Sequence, residues 1–377
     1  MGIRQGSLAG VVLTMSIWDG KRVFITGHTG FKGGWMTLLL TRLGANVSGY
    51  ALAPPTDPNL FTIAGVGEGI ESRIADVRDP ASLTAAMAAF RPDAVFHMAA
   101  QPLVRESYDI PVETYDINVM GTVHLLEAVR RTPNVKATII VTSDKCYENR
   151  EILTPYREDD TMGGHDPYSS SKGCAELVSA AYGRSYFAPG MGLGSLASVR
   201  AGNVIGGGDW ATDRIVCDLA RGLIAGQKIA IRRPEAVRPW QHVLEPLSGY
   251  LKVAEKLLAD GPQAWEGWNF GPDAHSQQTV GTLAELVCRL WEKPDALRIE
   301  PDPRAVHEAT LLTLDSTKAQ VRLGWRPRWG FEEGVAHTVS WYRAYADKMD
   351  MRAFTLAQID SYLAGAEPAA NSRRVTA

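Results

Sequence analysis

Four cysteines in 377 residues, none of them spaced as C-x-x-C, give this chain neither a disulfide frame nor a zinc-binding pattern. Cys146, Cys174, Cys217 and Cys288 read as free thiols in a reducing cytosol, so a cytoplasmic, metal-free protein is expected. A surplus of charge is also missing. With 39 basic against 42 acidic residues the net charge is −3, and no Lys/Arg cluster offers a surface for nucleic acid or membrane. Long apolar runs are absent too. Leu8–Leu13 is too short to span a bilayer and weak for a signal segment. There is no internal repeat.

What remains is the composition of a soluble globular protein, 45% hydrophobic and 21% charged. Residues 1–18 read as a disordered extension, Met1–Thr14 in particular, with Met15 as an alternative start. Residues 363–377, rich in Ala, Ser and Arg, read as a disordered tail. Between them, strands alternate with helices. Arg22–Thr26, Asn46–Leu52, Ile74–Asp76, Asp93–His97, Lys136–Thr142 and Leu196–Arg200 are β-rich. Trp35–Leu43, Pro80–Phe90, Pro111–Arg131 and Asp166–Tyr186 are helical. That alternation predicts an α/β fold, a Rossmann-type doubly wound parallel sheet over 19–205. After Gly202 the composition shifts, and 206–362 is expected to form mostly a smaller substrate-binding lobe, with some chain returning to the sheet.

The first strand runs into Gly27-His28-Thr29-Gly30-Phe31-Lys32-Gly33 and then a helix. Glycines there let the backbone approach a pyrophosphate, and the helix N-terminus supplies donors and a positive dipole end. These seven residues are therefore expected to bind a dinucleotide, with Lys32 pairing a phosphate and His28 crowding the cofactor or reaching its ribose. The acid expected about 20 residues on is missing: Tyr50-Ala51-Leu52 stands there and the next acid is Asp57. Weak NAD binding is the expectation. Asp76 and Val77 could hold the adenine, with a helix cap as the plainer reading.

Thr142-Ser143-Asp144-Lys145-Cys146-Tyr147 ends a strand, and Tyr168 and Lys172 follow four apart on one helix face. A protonated lysine beside a phenol favours the phenolate, so the tyrosine pKa is expected to fall toward neutrality and let Tyr168 take a proton from a hydroxyl.

These residues resemble the extended short-chain dehydrogenase/reductase family over roughly Lys21–Trp325. Matching pieces are His97-Met98-Ala99-Ala100, Asn118-Val119-Met120-Gly121-Thr122 and Arg200-Ala201-Gly202-Asn203-Val204. The resemblance implies that Ala99, Ala100 and Asn118 line the cofactor side and that Gln101 and Asn203 meet the substrate. Within the family, Ser143-Asp144-Lys145 resembles the nucleotide-sugar 4,6-dehydratases, which usually carry Thr-Asp-Glu there. With Gly206–Trp210 and Arg238–Val243, the run is most similar to the branch acting on CDP-glucose, where a lysine replaces the glutamate. The resemblance thus implies NAD as cofactor, CDP-glucose as substrate and a homodimer or dimer of dimers. It further implies a place in dideoxysugar and lipopolysaccharide synthesis. Asp144 would protonate the leaving C6 hydroxyl, Lys145 would take the C5 proton, and Ser143 would hold the C4 oxygen. A lysine base must be desolvated or crowded by cations.

Arg238, Trp240 and His242 fit a diphosphate clamp, with Arg214 as a second contact. Trp210 could stack on the base or wall the pocket, with core packing as the other reading. The competing readings are a dehydratase for GDP-mannose and a nucleotide-binding regulator without catalysis.

Overall fold

A computed structural model describes residues 16–261, 264–300 and 312–365. Seven strands build the main sheet: β1 (Arg22–Thr26), β2 (Asn46–Ala51), β3 (Glu71–Ile74), β4 (Ala94–His97), β5 (Ala137–Val141), β6 (Ser195–Arg200) and β7 (Glu266–Asn269). All pair in parallel in the order β7-β6-β5-β4-β1-β2-β3. The order reverses between β1 and β4, which opens a crevice at the strand C-termini.

The apolar runs form strands buried on both faces, and the period of two separates two cores. Val23, Ile25, Phe96, Ile139 and Val199 face one core; Phe24, Val95, Ile140 and Leu196 face the other. Helices α1 (Phe31–Arg42) and α6 (Leu244–Asp260) cover the first face. The second is covered by α2 (Pro80–Phe90), α3 (Gly121–Arg130) and α4 (Pro167–Ser185). Truncating a fully buried aromatic such as Phe24 to alanine would cost about 3–5 kcal/mol.

Local signals set the helix ends. Gly44 stops α1 at φ +91°, where a Cβ would be strained. Asp79 caps α2 by accepting from Ala81 N and Ser82 N, with Pro80 at the first turn. Asp166 caps α4 in the same way, accepting from Ser169 N at 2.9 Å. The helix expected over Pro111–Arg131 carries a π-turn at Asp116–Met120, which turns Asn118 inward.

The second lobe holds α5 (Ile215–Ile224), α7 (Val280–Leu290), α8 (Phe331–Ala346) and short two-stranded ladders. Its apolar residues, Leu219, Leu283 and Trp341 among them, belong to the same core as the first face of the sheet. Three later segments return to the cofactor side: α6, β7 and α9 (Met351–Ala364), which packs on α1. Trp18, placed in the extension by sequence, is fully buried; its indole donates to Glu255 Oε1 at 2.8 Å. Leu363 and Ala364, placed in the tail by sequence, end α9, and residues 1–15 and 366–377 lie outside the described residues. Among the described residues no helix is long and apolar enough to cross a membrane.

Candidate active site

The glycine turn is a cradle that side chains would fill. Gly27 sits at φ +80°, and a Cβ there would lie 2.7 Å from Ala99 N. A Cβ on Gly33 would lie 2.0 Å from Gly27 O. Gly30 caps α1 without a side-chain bond, so helix geometry leaves the N–H groups of Phe31, Lys32 and Gly33 without intrahelical acceptors. This orphaned, positively biased helix start fits a dinucleotide pyrophosphate. Ala99 and Ala100 follow β4 beside the turn, and Ala99 N donates to Thr26 Oγ1 at 3.2 Å. Thr29 Oγ1 donates to Leu52 O at 2.8 Å, which ties the turn to the end of β2.

Four residues expected on the cofactor side are placed as follows. His28 is fully buried: its Nε2 lies 2.8 Å from Ser72 Oγ and its ring packs edge-on against Phe61, in the space left by the missing side chain of Gly49. Burial lowers its pKa to about 4, so it is a neutral core histidine. Asp76 is committed to Arg78, accepting from its backbone N at 2.9 Å and from Nη2 at 2.6 Å, and Val77 packs in the second core. Asn118 spends its amide on backbone and helix: Oδ1 accepts from Gln101 N at 2.9 Å, while Nδ2 donates to Gln101 O and to Ser171 Oγ. It clamps the loop after β4 to α4. Lys32 reaches into the acid–base cluster, where Arg214, Asp144 and Asp209 are the charges acting on it. Burial and Arg214 lower its pKa to about 8.

That cluster forms where β5 ends. Ser143 is extended and caps a 3₁₀ turn over Asp144–Cys146, accepting from Lys145 N at 3.3 Å. Its hydroxyl donates to Asp144 Oδ1 at 2.9 Å, and it acts on the nearby Tyr168 phenol to favour the phenolate. Ser143, Asp144, Tyr168 and Lys172 are all buried, whereas Lys145 is only partly so. The structure thus brings together Ser143, Asp144, Tyr168, Lys172 and Lys32, with Arg214 held at the edge by Asp209 Oδ2 at 2.6 Å.

The expected fall of the Tyr168 pKa is not found. Burial pushes the phenol up to about 12, and the charges acting on it are Asp144, Arg214 and Asp166. Lys172 points its amine at Val141 O, 3.5 Å away, and is itself lowered to about 8 by burial and by Lys32. Spacing on a helix brought the two residues to one face but did not aim the amine at the phenol.

On the substrate side, Gln101 spends its amide on Leu103, at 3.0 Å to O and 2.8 Å from N. Asn203 takes φ +36° at the crevice, and its carbonyl accepts from Gln241 N. Arg238 lies half-buried on a short strand of the second lobe, with Nη1 on Val237 O. The three aromatic residues expected on this side are all buried. His242 is fully buried between Trp35, Trp329 and His337, with its pKa lowered to about 3 by burial. Trp240 is a core residue that donates to Gln278 O at 3.0 Å. Trp210 packs edge-on against Tyr342 and Tyr345. His307-Glu308-Ala309, part of the resemblance, lies outside the described residues.

Sequence reading also passed over Gly202. A Cβ there would stand 1.9 Å from Asp144 Oδ2, so its bareness makes room for the carboxylate. Asp213 was missed as well: it takes Arg105 at 3.0 Å and Arg232 at 3.3 Å, linking the helix turn Val104–Asp109 to the second lobe. Among the described residues no group of three His, Cys, Asp or Glu could hold a metal ion.

A family model described as GDP-mannose 4,6 dehydratase matches residues 24–338. The chain is 51% identical over 356 residues to a CDP-glucose 4,6-dehydratase of Salmonella typhimurium, covering 93% of this chain and 99% of that one. It is 27% identical over 339 residues to a dTDP-glucose 4,6-dehydratase of Xanthomonas campestris, covering 84% and 92%. Among solved structures, a UDP-glucose 4-epimerase of Thermus thermophilus in complex with NAD superposes with a TM-score of 0.73 at 25% identity, over 85% of this chain and 99% of that one. A dTDP-glucose 4,6-dehydratase of Bacillus anthracis in complex with NAD gives 0.73 at 20% identity, over 88% and 99%.

Proposed function

The chain belongs to the GDP-mannose 4,6-dehydratase family, and on that premise we propose that it is an NAD-dependent lyase converting CDP-D-glucose to CDP-4-dehydro-6-deoxy-D-glucose and water. The observation that carries the reaction type is the buried Ser143–Asp144 pair near Tyr168 and a glycine cradle. The identity of 51% with the Salmonella enzyme supports CDP-glucose as the substrate. NAD, when bound, would supply the hydride acceptor and donor. Tyr168 takes the C4 hydroxyl proton, and Ser143 holds the C4 oxygen. The resulting 4-ketone acidifies the C5 hydrogen, which Lys145 removes. Asp144 gives its proton to the C6 oxygen, which leaves as water, and Lys145 returns the proton to C5 as hydride is restored at C6. Arg214 is the cation that acts on the Tyr168 phenol against its burial, and Lys32 places a further positive charge beside Asp144. Arg238, half-buried on its short strand, would meet the diphosphate together with Arg214.

Two copies are proposed to pair through the Pro111–Arg130 segment and α4. Val112, Tyr115, Met120 and Leu177 are exposed there at 82%, 37%, 43% and 60%, and covering them would bury apolar surface. A cytoplasmic setting and a role in dideoxysugar and lipopolysaccharide synthesis complete the reading. Mass spectrometry of the protein incubated with CDP-glucose, with and without added NAD, tests it. Loss of one water supports the assignment. An unchanged CDP-glucose with water lost from GDP-mannose would replace the substrate, and inertness toward both would refute the activity.

A further inference from the structure

One buried carboxylate beneath the acid–base cluster has no part in the chemistry above. Glu176 lies on α4 one turn beyond Lys172 and two beyond Tyr168, so the three share a helix face. It is 1% exposed. Its Oε1 accepts from Thr142 Oγ1 in a short bond and from Arg200 Nε at 2.9 Å; Oε2 accepts from Ser198 Oγ at 2.6 Å and Arg200 Nη2 at 2.8 Å. Arg200, with no exposed surface, extends the chain of contacts. Its Nη1 donates to the Tyr147 hydroxyl at 2.5 Å, and that hydroxyl donates to Asn269 Oδ1 at 2.8 Å.

The bonded positions surround the reacting groups. Thr142 immediately precedes Ser143 and Asp144, and Tyr147 follows their 3₁₀ turn. Arg200 ends β6, two residues before the Gly202 that makes room for Asp144. One ion pair therefore spans the helix of Tyr168 and Lys172, the turn of Ser143 and Asp144, and the strand end beneath it.

A buried pair of this kind is weak grounds for stability, because desolvating both charges offsets most of their attraction. Its four charge-assisted bonds do fix geometry. We infer that Glu176 is a positioning residue: with Arg200 it locks α4 against the Ser143–Asp144 turn, and its charge is the counter-ion that keeps Lys172 an ammonium. The inference rests on the proposed reaction for its kinetic consequence but not for its electrostatic one. The groups facing Lys172 are Lys32 from α1, Cys146 from the 3₁₀ turn, His97 from β4 and Glu176 on its own helix. Glu176 is the carboxylate among them.

The test uses full-length Glu176→Gln and the charge-balanced double variant Glu176→Gln/Arg200→Met, which avoids a lone buried guanidinium. Lysine side-chain NMR of isotope-labelled protein follows Lys172 with pH, without substrate. Thermal melting checks folding, and steady-state kinetics are run with CDP-glucose and NAD. The Lys172 titration is expected to fall in the single variant if it folds, and by less in the double variant, which loses the Arg200 cation with the carboxylate. The alkaline limb of kcat/KM should move with it. In the double variant kcat should drop by roughly a hundredfold while KM changes little, through the loosened turn. A double variant that melts like the parent and keeps both its Lys172 titration and its kcat overturns the inference, leaving the pair a packing feature. A parent inert toward CDP-glucose defeats the substrate assignment alone, since the NMR titration still reads the counter-ion role.

Discussion

Replacing Gly202 by alanine adds a single methyl group at the most crowded point beneath the acid–base cluster. The new Cβ would lie 1.9 Å from Asp144 Oδ2 and 2.5 Å from Asp144 Cγ. Ordinary contact begins near 3.4 Å, so the carboxylate must retreat by about 1.5 Å or the strand end must shift equally. Gly202 has no left-handed φ, so the backbone itself tolerates alanine; the cost is contact alone. The carbonyl of Gly202 is pinned by Gln241 Nε2 at 3.0 Å, which resists a strand shift and directs the displacement to Asp144. The Ser143 Oγ–Asp144 Oδ1 bond of 2.9 Å would then break or turn. A misplacement of about 1 Å at a proton-donating group costs on the order of a hundredfold in rate, and overpacking costs about 1–3 kcal/mol of stability. The atoms nearest the new Cβ all belong to Asp144, so C4 oxidation through Tyr168 should suffer less than loss of water. Rapid-scan absorbance should therefore show reduced nicotinamide accumulating in Gly202→Ala with CDP-glucose, while mass spectrometry shows water loss slowed by roughly a hundredfold. A variant that melts within a few degrees of the parent and releases water at the parental rate would refute the argument that Gly202 makes room for the acid.

Asp144→Asn removes the proposed proton donor but keeps its shape; C6 elimination should fall by about 10²–10⁴-fold with C4 oxidation retained, and equal slowing of both steps would count against the role. Without a carboxylate at the end of β2 for the ribose hydroxyl, NAD should bind roughly tenfold to a hundredfold more weakly than in a variant given an acid there; protein that keeps stoichiometric cofactor through gel filtration contradicts this. Stability should fall as pH drops from 6.5 toward 5. His28, His97 and His242 are buried with pKa values lowered by burial to about 4, 3 and 3, so in this window the unfolded chain binds protons the folded chain refuses. Each contributes up to about 1.4 kcal/mol per pH unit, so His242→Phe should flatten the decline of melting temperature with pH, and a slope unchanged by that substitution would refute the assignment.

The sheet was legible because its information is local. Runs such as Arg22–Thr26 and Lys136–Thr142 form central strands buried on both faces, and Asp79-Pro80 and Asp166-Pro167 announce helices by capping chemistry alone. The parallel Rossmann fold and the NAD cofactor follow from the same short-range signals. Side-chain destinations did not. His242 and Trp210 read as ligand contacts because the residues that bury them, Trp329, His337, Tyr342 and Tyr345, come from some 85 to 135 positions downstream. The fate of His28 depended on a space at Gly49 and a ring at Phe61, and Lys32 could be followed to the loop but not to the charges it reaches. Tyr168 shows the limit most clearly. Its spacing from Lys172 is in the sequence, but its pKa is set by burial and by Asp144, Arg214 and Asp166, which converge only in the folded chain.

The return of β7 to the sheet bears on how the protein can be made. Strand β6 is complete at Arg200, yet its outer partner does not exist until Glu266–Asn269 has been synthesised, after much of the second lobe. Domains tend to fold as they leave the ribosome, but here the cofactor half must wait with one edge open. A chain stopped between 205 and 265 would present the β6 edge, Ser195–Arg200, to any other strand it met. Arg200 would also lack Phe270 N, which bonds its carbonyl at 2.9 Å in the finished molecule. The two lobes are therefore one unit of synthesis, and a truncated chain that keeps the glycine cradle but ends before β7 should aggregate before it binds any nucleotide.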